Sequence, residues 1–189
     1  NTHWSISEDG TITIPPTDPW MCGDLSQRAL SIIQGLTKYY AYSGDPLAFV
    51  YIPLTCDYIL DYCLTDANHP WPKFPISTPT KGIGYKRTNV DVPNQLDLCA
   101  YMGVEMLRAY RLTGTQRYAE AAKHWGDVIA EKCNFSDPQL PPWSRYTNPQ
   151  FIIWSDKLTG TTALISEFLD DLISMGYTGK DRMIVKARD

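Results

Sequence analysis

The chain has 189 residues, 43% of them hydrophobic and 20% charged, with a formal net charge of −4 and an isoelectric point near 5.3, the composition of an ordinary globular protein. This acidic balance disfavours nucleic acid as a partner, because affinity for phosphate backbones comes from clustered Lys and Arg. No apolar run approaches the roughly 18 residues that a membrane-spanning helix needs. The opening Asn1-Thr2-His3-Trp4 has neither an initiator Met nor a signal-type apolar core, and so reads as a processed or engineered start.

Residues 1–20, with Ile12-Thr13-Ile14-Pro15-Pro16, read as an extended lead-in, since proline and β-branched side chains oppose helix. From residue 21 to 189 the pattern is helical. A first helix is predicted from about Leu25 to Tyr42, with Asp24 as a fair N-cap. A second starts at Pro46, where Asp45 before a first-turn proline is a good start signal, and ends near Leu64. Pro53 predicts a kink or an earlier break. A third helix, about Asn94 to Leu112, carries Leu96, Cys99, Tyr101, Met102, Met106, Leu107 and Tyr110 on broad apolar faces. A fourth spans about Gln116 to Lys132 and a fifth about Thr161 to Met175, and a sixth begins at Asp181 and is cut off.

One turn recurs between paired helices, as Ser43-Gly44-Asp45, Thr113-Gly114-Thr115 and Thr178-Gly179-Lys180. The repeating unit is therefore a helical hairpin, and the chain divides into hairpins near 25–64, 94–132 and 160–189, the last truncated. Tetratricopeptide arrays are excluded by their period of about 34 residues. The connections alternate sharply. Those inside hairpins are minimal, whereas Thr65 to Pro93 and Cys133 to Thr159 exceed the ~15 residues usual for loops in a compact domain. They hold Trp71, Phe74, Tyr85, Trp143, Tyr146, Phe151 and Trp154 among many prolines, which is a stiff aromatic surface rather than a disordered composition. Each long connection joins the second helix of one hairpin to the first helix of the next, so both should emerge on one face of the helical layer.

Five cysteines, at 22, 56, 63, 99 and 133, fit no zinc spacing and read as free thiols packed as small apolar groups. With three histidines in all, no metal site is expected, and His69 and His124 read as structural. Asp170-Asp171 reads as a solvated helix face rather than a magnesium site. No P-loop, dinucleotide fingerprint or serine nucleophile elbow is present, so no cofactor is expected. Asn134-Phe135-Ser136 matches the N-glycosylation sequon, and a secreted or periplasmic location is the expectation carried forward.

The segment Tyr110-Arg111-Leu112-Thr113-Gly114-Thr115-Gln116-Arg117-Tyr118 with Ala121-Ala122, and its weaker copy at Ser43-Gly44-Asp45, resembles the inner-to-outer helix turn of the six-hairpin (α/α) toroid proteins, a superfamily of glycoside hydrolases and polysaccharide lyases. Trp71-Pro72-Lys73-Phe74-Pro75-Ile76-Ser77-Thr78-Pro79-Thr80-Lys81-Gly82, followed by a helix, resembles carbohydrate-associated members of it. The likeness covers residues ~20 to 189 and implies an all-α fold, part of an (α/α)6 toroid of which two and a half hairpins are present. Either the same polypeptide or a second chain is then expected to supply the remaining hairpins.

In such a toroid the first helix of each hairpin lies inside, with its positive N-terminal end toward the elaborated face, where carboxylates are favoured. Asp24, Asp91, Asp97 and Asp156 precede or open inner helices, and unsaturated uronyl hydrolases of the superfamily use acids at such positions. Glycoside hydrolysis uses one carboxyl as acid and a second as base or nucleophile, and Asp91 with Asp156 is the preferred pair. Each of these acids also reads as a helix cap or turn residue. Trp71, Tyr85, Trp143 and Trp154 suit stacking on sugar rings, and Lys86, Arg87 and Arg145 suit a uronate carboxylate. The expected substrate is thus an acidic oligo- or polysaccharide, cleaved by a hydrolase. A lyase, with Tyr85 or Tyr146 as base, and a non-catalytic glycan-binding or structural protein are the alternatives.

Overall fold

The computed structural model describes residues 5–6, 12–13, 25–76, 94–147 and 159–189. Its helices are α1 (Leu25–Ser43), α2 (Pro46–Tyr62), α3 (Leu96–Thr113), α4 (Gln116–Glu131), α5 (Thr159–Ser174) and α6 (Met183–Arg188), with a single 3-10 turn at Lys180–Arg182 before α6. Two minimal antiparallel ladders accompany them among the described residues. They pair β1 (Ser5–Ile6) with β2 (Ile12–Thr13), and β3 (Asn94–Gln95) with β4 (Tyr146–Thr147). The architecture is all-α, in consecutive hairpins.

The first two hairpin turns are built alike. Gly44, Gly114 and Gly179 all sit in the left-handed region, at φ of 67°, 71° and 71°, a conformation that costs glycine nothing and other L-residues about 1–2 kcal/mol. Gly44 and Gly114 each donate their N–H to the carbonyl four residues back, at 2.8 Å, closing the helix C-terminus. A hydroxyl then bridges the turn twice over. Ser43 Oγ donates to the Tyr39 carbonyl at 2.7 Å and accepts from Asp45 N at 3.1 Å; Thr113 Oγ1 does the same with Ala109 and Thr115, at 2.9 and 3.2 Å. Asp45 caps α2 as expected, its Oδ1 accepting from Leu47 N at 2.9 Å with Pro46 in the first turn.

The expected helix boundaries are revised at three places. Of the two outcomes expected at Pro53, a kink or an earlier break, the break does not occur, and α2 runs through it. The third helix begins at Leu96 rather than Asn94, because Gln95 is extended (φ −93°, ψ 100°) and pairs with Tyr146 of the returning connector. The last hairpin turn also differs from the first two. Asp181 and Arg182 both have positive φ, so the helix proper starts at Met183, not Asp181.

The helices form two layers. Helices α1, α3 and α5 lie side by side, α3 touching both others, while α2, α4 and α6 each pack against their own hairpin partner. Helix α3 is the hub. Leu96, Cys99, Ala100, Met102, Met106, Leu107 and Ala109 are all buried in one continuous core with Ile33, Ile52, Ile59, Trp125, Ile129, Phe168 and Leu172. The α3–α5 approach is close at Gly103, where a β-carbon would overlap the Phe168 ring. At the outer layer, Arg117 of α4 reaches both Asp57 and Asp61 of α2.

Both long connections, as far as they are described, gather at the end of the molecule where α2 and α4 finish and α3 begins. Residues 64–76 fold back through a Leu64–Pro75 bridge, with Thr65 N donating to Phe74 O at 2.9 Å and Ile76 N to Cys63 O at 3.2 Å. Helix α4 clamps this loop from the side, since Trp125 Nε1 donates to Lys73 O at 2.9 Å and His124 Nε2 to Pro72 O at 2.7 Å. Cys99 Sγ of α3 donates to Pro75 O at 3.4 Å. The second connection is pinned beside it, with Asn134 N donating to Pro142 O at 2.9 Å and Leu96 N to Arg145 O at 2.8 Å. His124 is thus structural, as expected. Cys56, Cys63, Cys99 and Cys133 are free thiols, and burial pushes that of Cys133 up to about 11.

Two glycine substitutions separate packing from backbone entropy. Gly103→Ala is expected to destabilise the fold by about 1–3 kcal/mol through overpacking against Phe168. Gly35→Ala in α1 meets nothing within 4 Å and is expected to be neutral or stabilising by about 0.4–1 kcal/mol. Urea denaturation of both variants checks the contrast, and equal effects would contradict it.

Candidate functional site

Helix α3 is buried on most sides, yet Asp97, Tyr101, Arg108 and Leu112 stay partly exposed. Their spacing puts them on one stripe of mainly polar side chains, while Leu98, Tyr110, Arg111 and Thr113 are also at least partly exposed. At its N-terminal end Asp97 Oδ1 accepts from Leu98 N at 2.9 Å, and Asp97 Oδ2 faces Arg145 Nε at 3.4 Å. A carboxylate in a first helical turn is favoured by the helix dipole, and Arg145 holds it from the connector.

Midway along the stripe lies a buried acid. Glu105 is 0% exposed, and its Oε1 accepts from Arg108 Nη1 and, at 3.3 Å, from Gln34 Nε2 of α1. Gln34 also donates to Tyr101 Oη at 2.5 Å. These four side chains form a polar cluster between α1 and α3. Glu105 Oε2 is buried with no hydrogen-bond partner among the described residues, an arrangement that costs about 1–3 kcal/mol or more for a charged group. Burial accordingly pushes the Glu105 carboxyl above its ordinary value, opposed by the Arg108 charge, the Gln34 and Arg108 hydrogen bonds and the Lys38 charge.

Of the residues expected to form the site, Asp91, Asp156, Tyr85, Lys86, Arg87 and Trp154 lie outside the described residues, as does Asp24. Tyr146 is placed by its backbone, in the ladder opposite Gln95. Three expectations are corrected. Trp71 is 3% exposed, stacked at a tilt 5.1 Å from Phe74; it is a loop anchor, its indole N–H lacking a partner among the described residues. Trp143 is 2% exposed and donates Nε1 to the Ile129 carbonyl at 3.0 Å, tying the second connection to the end of α4. Neither ring offers a face to a sugar. Arg145 is drawn to Asp97 rather than held ready for a uronate carboxylate.

His69 is a loop organiser. Its Nδ1 accepts from Trp71 N at 3.0 Å, and burial lowers its pKa. Among the described residues no group of His, Cys, Asp and Glu is placed to hold a metal ion, and no helix is long and apolar enough to cross a membrane. Glu105 escapes the sequence reading because a lone acid in Gly103-Val104-Glu105-Met106-Leu107 reads as a helix residue among apolar neighbours. The available signal was its spacing from Tyr101 and Arg108, four before and three after.

The sequence matches no protein-family model and no curated protein. Among solved structures, cellobiose 2-epimerase from Spirochaeta thermophila DSM 6192, an (α/α)6 toroid enzyme, is similar to this chain with a TM-score of 0.58 at 13% identity, over 93% of this chain. The fold is part of an (α/α) toroid. The chain spans 42% of the length of that structure. The fold is thus one that a carbohydrate-active enzyme uses, although a shared fold does not fix a reaction.

The elevated Glu105 carboxyl makes stability pH-dependent. A raised folded-state pKa means that the folded chain binds this proton more tightly than the unfolded one, so its contribution is present below the ordinary value of 4.5 and is lost as pH rises through the folded value. Glu105→Gln removes that titration while keeping an acceptor for Arg108. Its melting temperature relative to wild type is expected to rise as pH increases from 4 toward neutrality, read by calorimetry at a series of pH values. A difference independent of pH would contradict it.

Proposed function

We propose that this chain forms part of a carbohydrate-active enzyme of the (α/α) toroid type, which takes an oligo- or polysaccharide on the face where its long connections gather. The observation that carries the reading is an inner helix, α3, with a polar stripe of Asp97, Tyr101, Glu105 and Arg108 in a fold shared with a sugar-processing enzyme. Inner helices of such an arc are where substrate groups meet dipole ends and ordered side chains.

Within that class the chemistry of choice is glycoside hydrolysis of a uronate-containing glycan. Asp91 and Asp156 act as acid and base, one donating a proton to the leaving oxygen while the other activates water or attacks. Tyr85 and Trp154 stack on sugar faces, and Arg87 binds the uronate carboxylate. Arg108, anchored by Glu105 and about one-third exposed, adds a second cation on the inner side. A lyase on the same substrates uses Tyr85 or Tyr146 as base, with these cations neutralising the uronate. The remaining hairpins come from the same polypeptide or a second chain, and the enzyme works outside the cytoplasm.

The structural neighbour favours a second reading, because it is an epimerase and not a hydrolase. In that case configuration changes at one carbon and the glycosidic bond stays intact.

Products separate these readings. The full-length polypeptide is incubated with unsaturated uronides, pectin-type polymers and cellobiose, and products are analysed by mass and chromatography. New reducing ends formed with uptake of water and no new double bond identify a hydrolase, new reducing ends together with a newly formed ultraviolet-absorbing unsaturated uronate a lyase, and an isomer of unchanged mass an epimerase. Asp91→Asn and Asp156→Asn are each expected to lower kcat by about 10²–10⁴-fold. Wild-type turnover in both variants would refute the assigned pair.

A further inference from the structure

The one buried carboxyl side chain among the described residues, Glu105, lies between α1 and α3. Tyr101, Glu105 and Arg108 follow one another down a single line of α3, and Gln34 and Lys38, one turn apart on α1, stand across from them. The polar contacts run on without a gap. Arg108 Nη1 donates to Glu105 Oε1, Gln34 Nε2 donates to the same oxygen at 3.3 Å, and Gln34 Nε2 also donates to Tyr101 Oη at 2.5 Å.

The two ends of this chain of contacts keep donors to spare. Tyr101 accepts from Gln34, which leaves its own O–H to donate elsewhere, and it is partly exposed. Arg108 is 34% exposed and directs one arm of its five-donor fork at Glu105. Lys38 is exposed, and its charge acts on Glu105. Two cations thus stand against one anion, and the cluster keeps a surplus positive charge.

The middle of the chain is built the other way. Glu105 is wholly buried, and its Oε2 has no hydrogen-bond partner among the described residues. A buried polar atom left unsatisfied calls for an explanation, since an apolar residue of similar volume is compatible with such a place. What an acid does here that an apolar residue cannot is hold a guanidinium. Side chains on a helix lean toward its N-terminal end, so anchoring on Glu105 draws the Arg108 fork toward Tyr101, which stands about 8 Å along α3 from Leu96. That is the end at which the long connections gather. An arginine already held in place also loses less side-chain freedom on binding than a free one.

We propose that Glu105 is a positioning residue for a carboxylate subsite: it holds the Arg108 fork, Gln34 holds the Tyr101 hydroxyl, and these two donors with Lys38 take the carboxylate of a uronate sugar. The proposal rests on the saccharide reading above and narrows it, because a neutral sugar would leave the surplus positive charge unmatched. Glu105 itself, being buried, acts through Arg108.

Isothermal titration calorimetry of the full-length polypeptide tests this without turnover, using trigalacturonate and its fully methyl-esterified form, in which the carboxylates are masked. The wild type is expected to bind the acid at least about tenfold more tightly than the ester. Arg108→Ala is expected to weaken binding of the acid by about 10–100-fold and to leave that of the ester nearly unchanged. Glu105→Leu is expected to weaken it by about 3–10-fold in a protein that still melts cooperatively, and Glu105→Gln, which keeps an acceptor for Arg108, to restore most of the loss. The double variant Glu105→Leu/Arg108→Ala is expected to bind the acid no more weakly than Arg108→Ala alone, as two residues acting in series should. If Glu105→Leu does not fold, the unbranched and adaptable Glu105→Met takes its place in the cycle. Effects that multiply in the double variant, equal affinity for acid and ester, or no binding of the acid by the wild type would each overturn the inference. Saccharide turnover with acid and ester bound alike would leave the carbohydrate-active reading standing without this subsite. Arg108-dependent binding of the acid with no turnover of any saccharide would support the subsite and count against the proposed activity.

Discussion

The whole arrangement depends on a turn of three residues that places a glycine in the left-handed region. Gly44 and Gly114 end their helices by the same backbone bond, with Ser43 and Thr113 spanning the reversal in the same way. So short a connection leaves the next helix no choice but to return antiparallel along the one before it. Long connections are then confined to the other end of the hairpins, and this is why Trp71, Phe74, Trp143 and Arg145 all come to lie near the start of α3. A surface loop of such length has many backbone groups to satisfy. The side chains of Trp125, His124 and Cys99 do part of that work by reaching out from α3 and α4 to loop carbonyls.

The hub helix shows how packing and chemistry share one element. Most of α3 is small or apolar, which lets α1, α4 and α5 close around it, with Gly103 giving Phe168 its space. Glu105 stands against that trend. A carboxylate with one oxygen unpartnered weakens a fold, and only Arg108 and Gln34 offset its burial. Structural need alone does not call for an acid at this position, where an apolar residue of similar volume is compatible with the core. It sits in the layer of α1, α3 and α5, beside an arginine about one-third exposed.

Aromatic residues in Pro-rich loops were ambiguous for a clear reason. Trp71 and Trp143 have the composition of a sugar-stacking platform and equally that of loop anchors, and the choice depends on which side of the loop faces the helices. That depends on the packed fold: Thr65 and the distant Trp125 fix the first loop, and Ile129 of the preceding helix fixes Trp143. Arg145 is similar, because its partner Asp97 precedes it by a whole hairpin. Cys99 and His124, by contrast, were legible as structural because a thiol in an apolar helix and a histidine beside a buried tryptophan have few other uses.

Local chemistry was enough to determine the all-helical class, the hairpin repeat, the Asp45 cap and the shared face of the long connections. Each of these follows from glycine, proline, capping residues and apolar spacing within a few turns of chain. The burial of Glu105 against Gln34, the pairing of Asp97 with Arg145 and the inward turn of Trp71 and Trp143 were decided only by tertiary structure. They depend on which segments become neighbours, from 14 residues apart for Trp143 and Ile129 to 71 for Glu105 and Gln34, and a period read along one helix shows that a face is apolar without showing what lies against it.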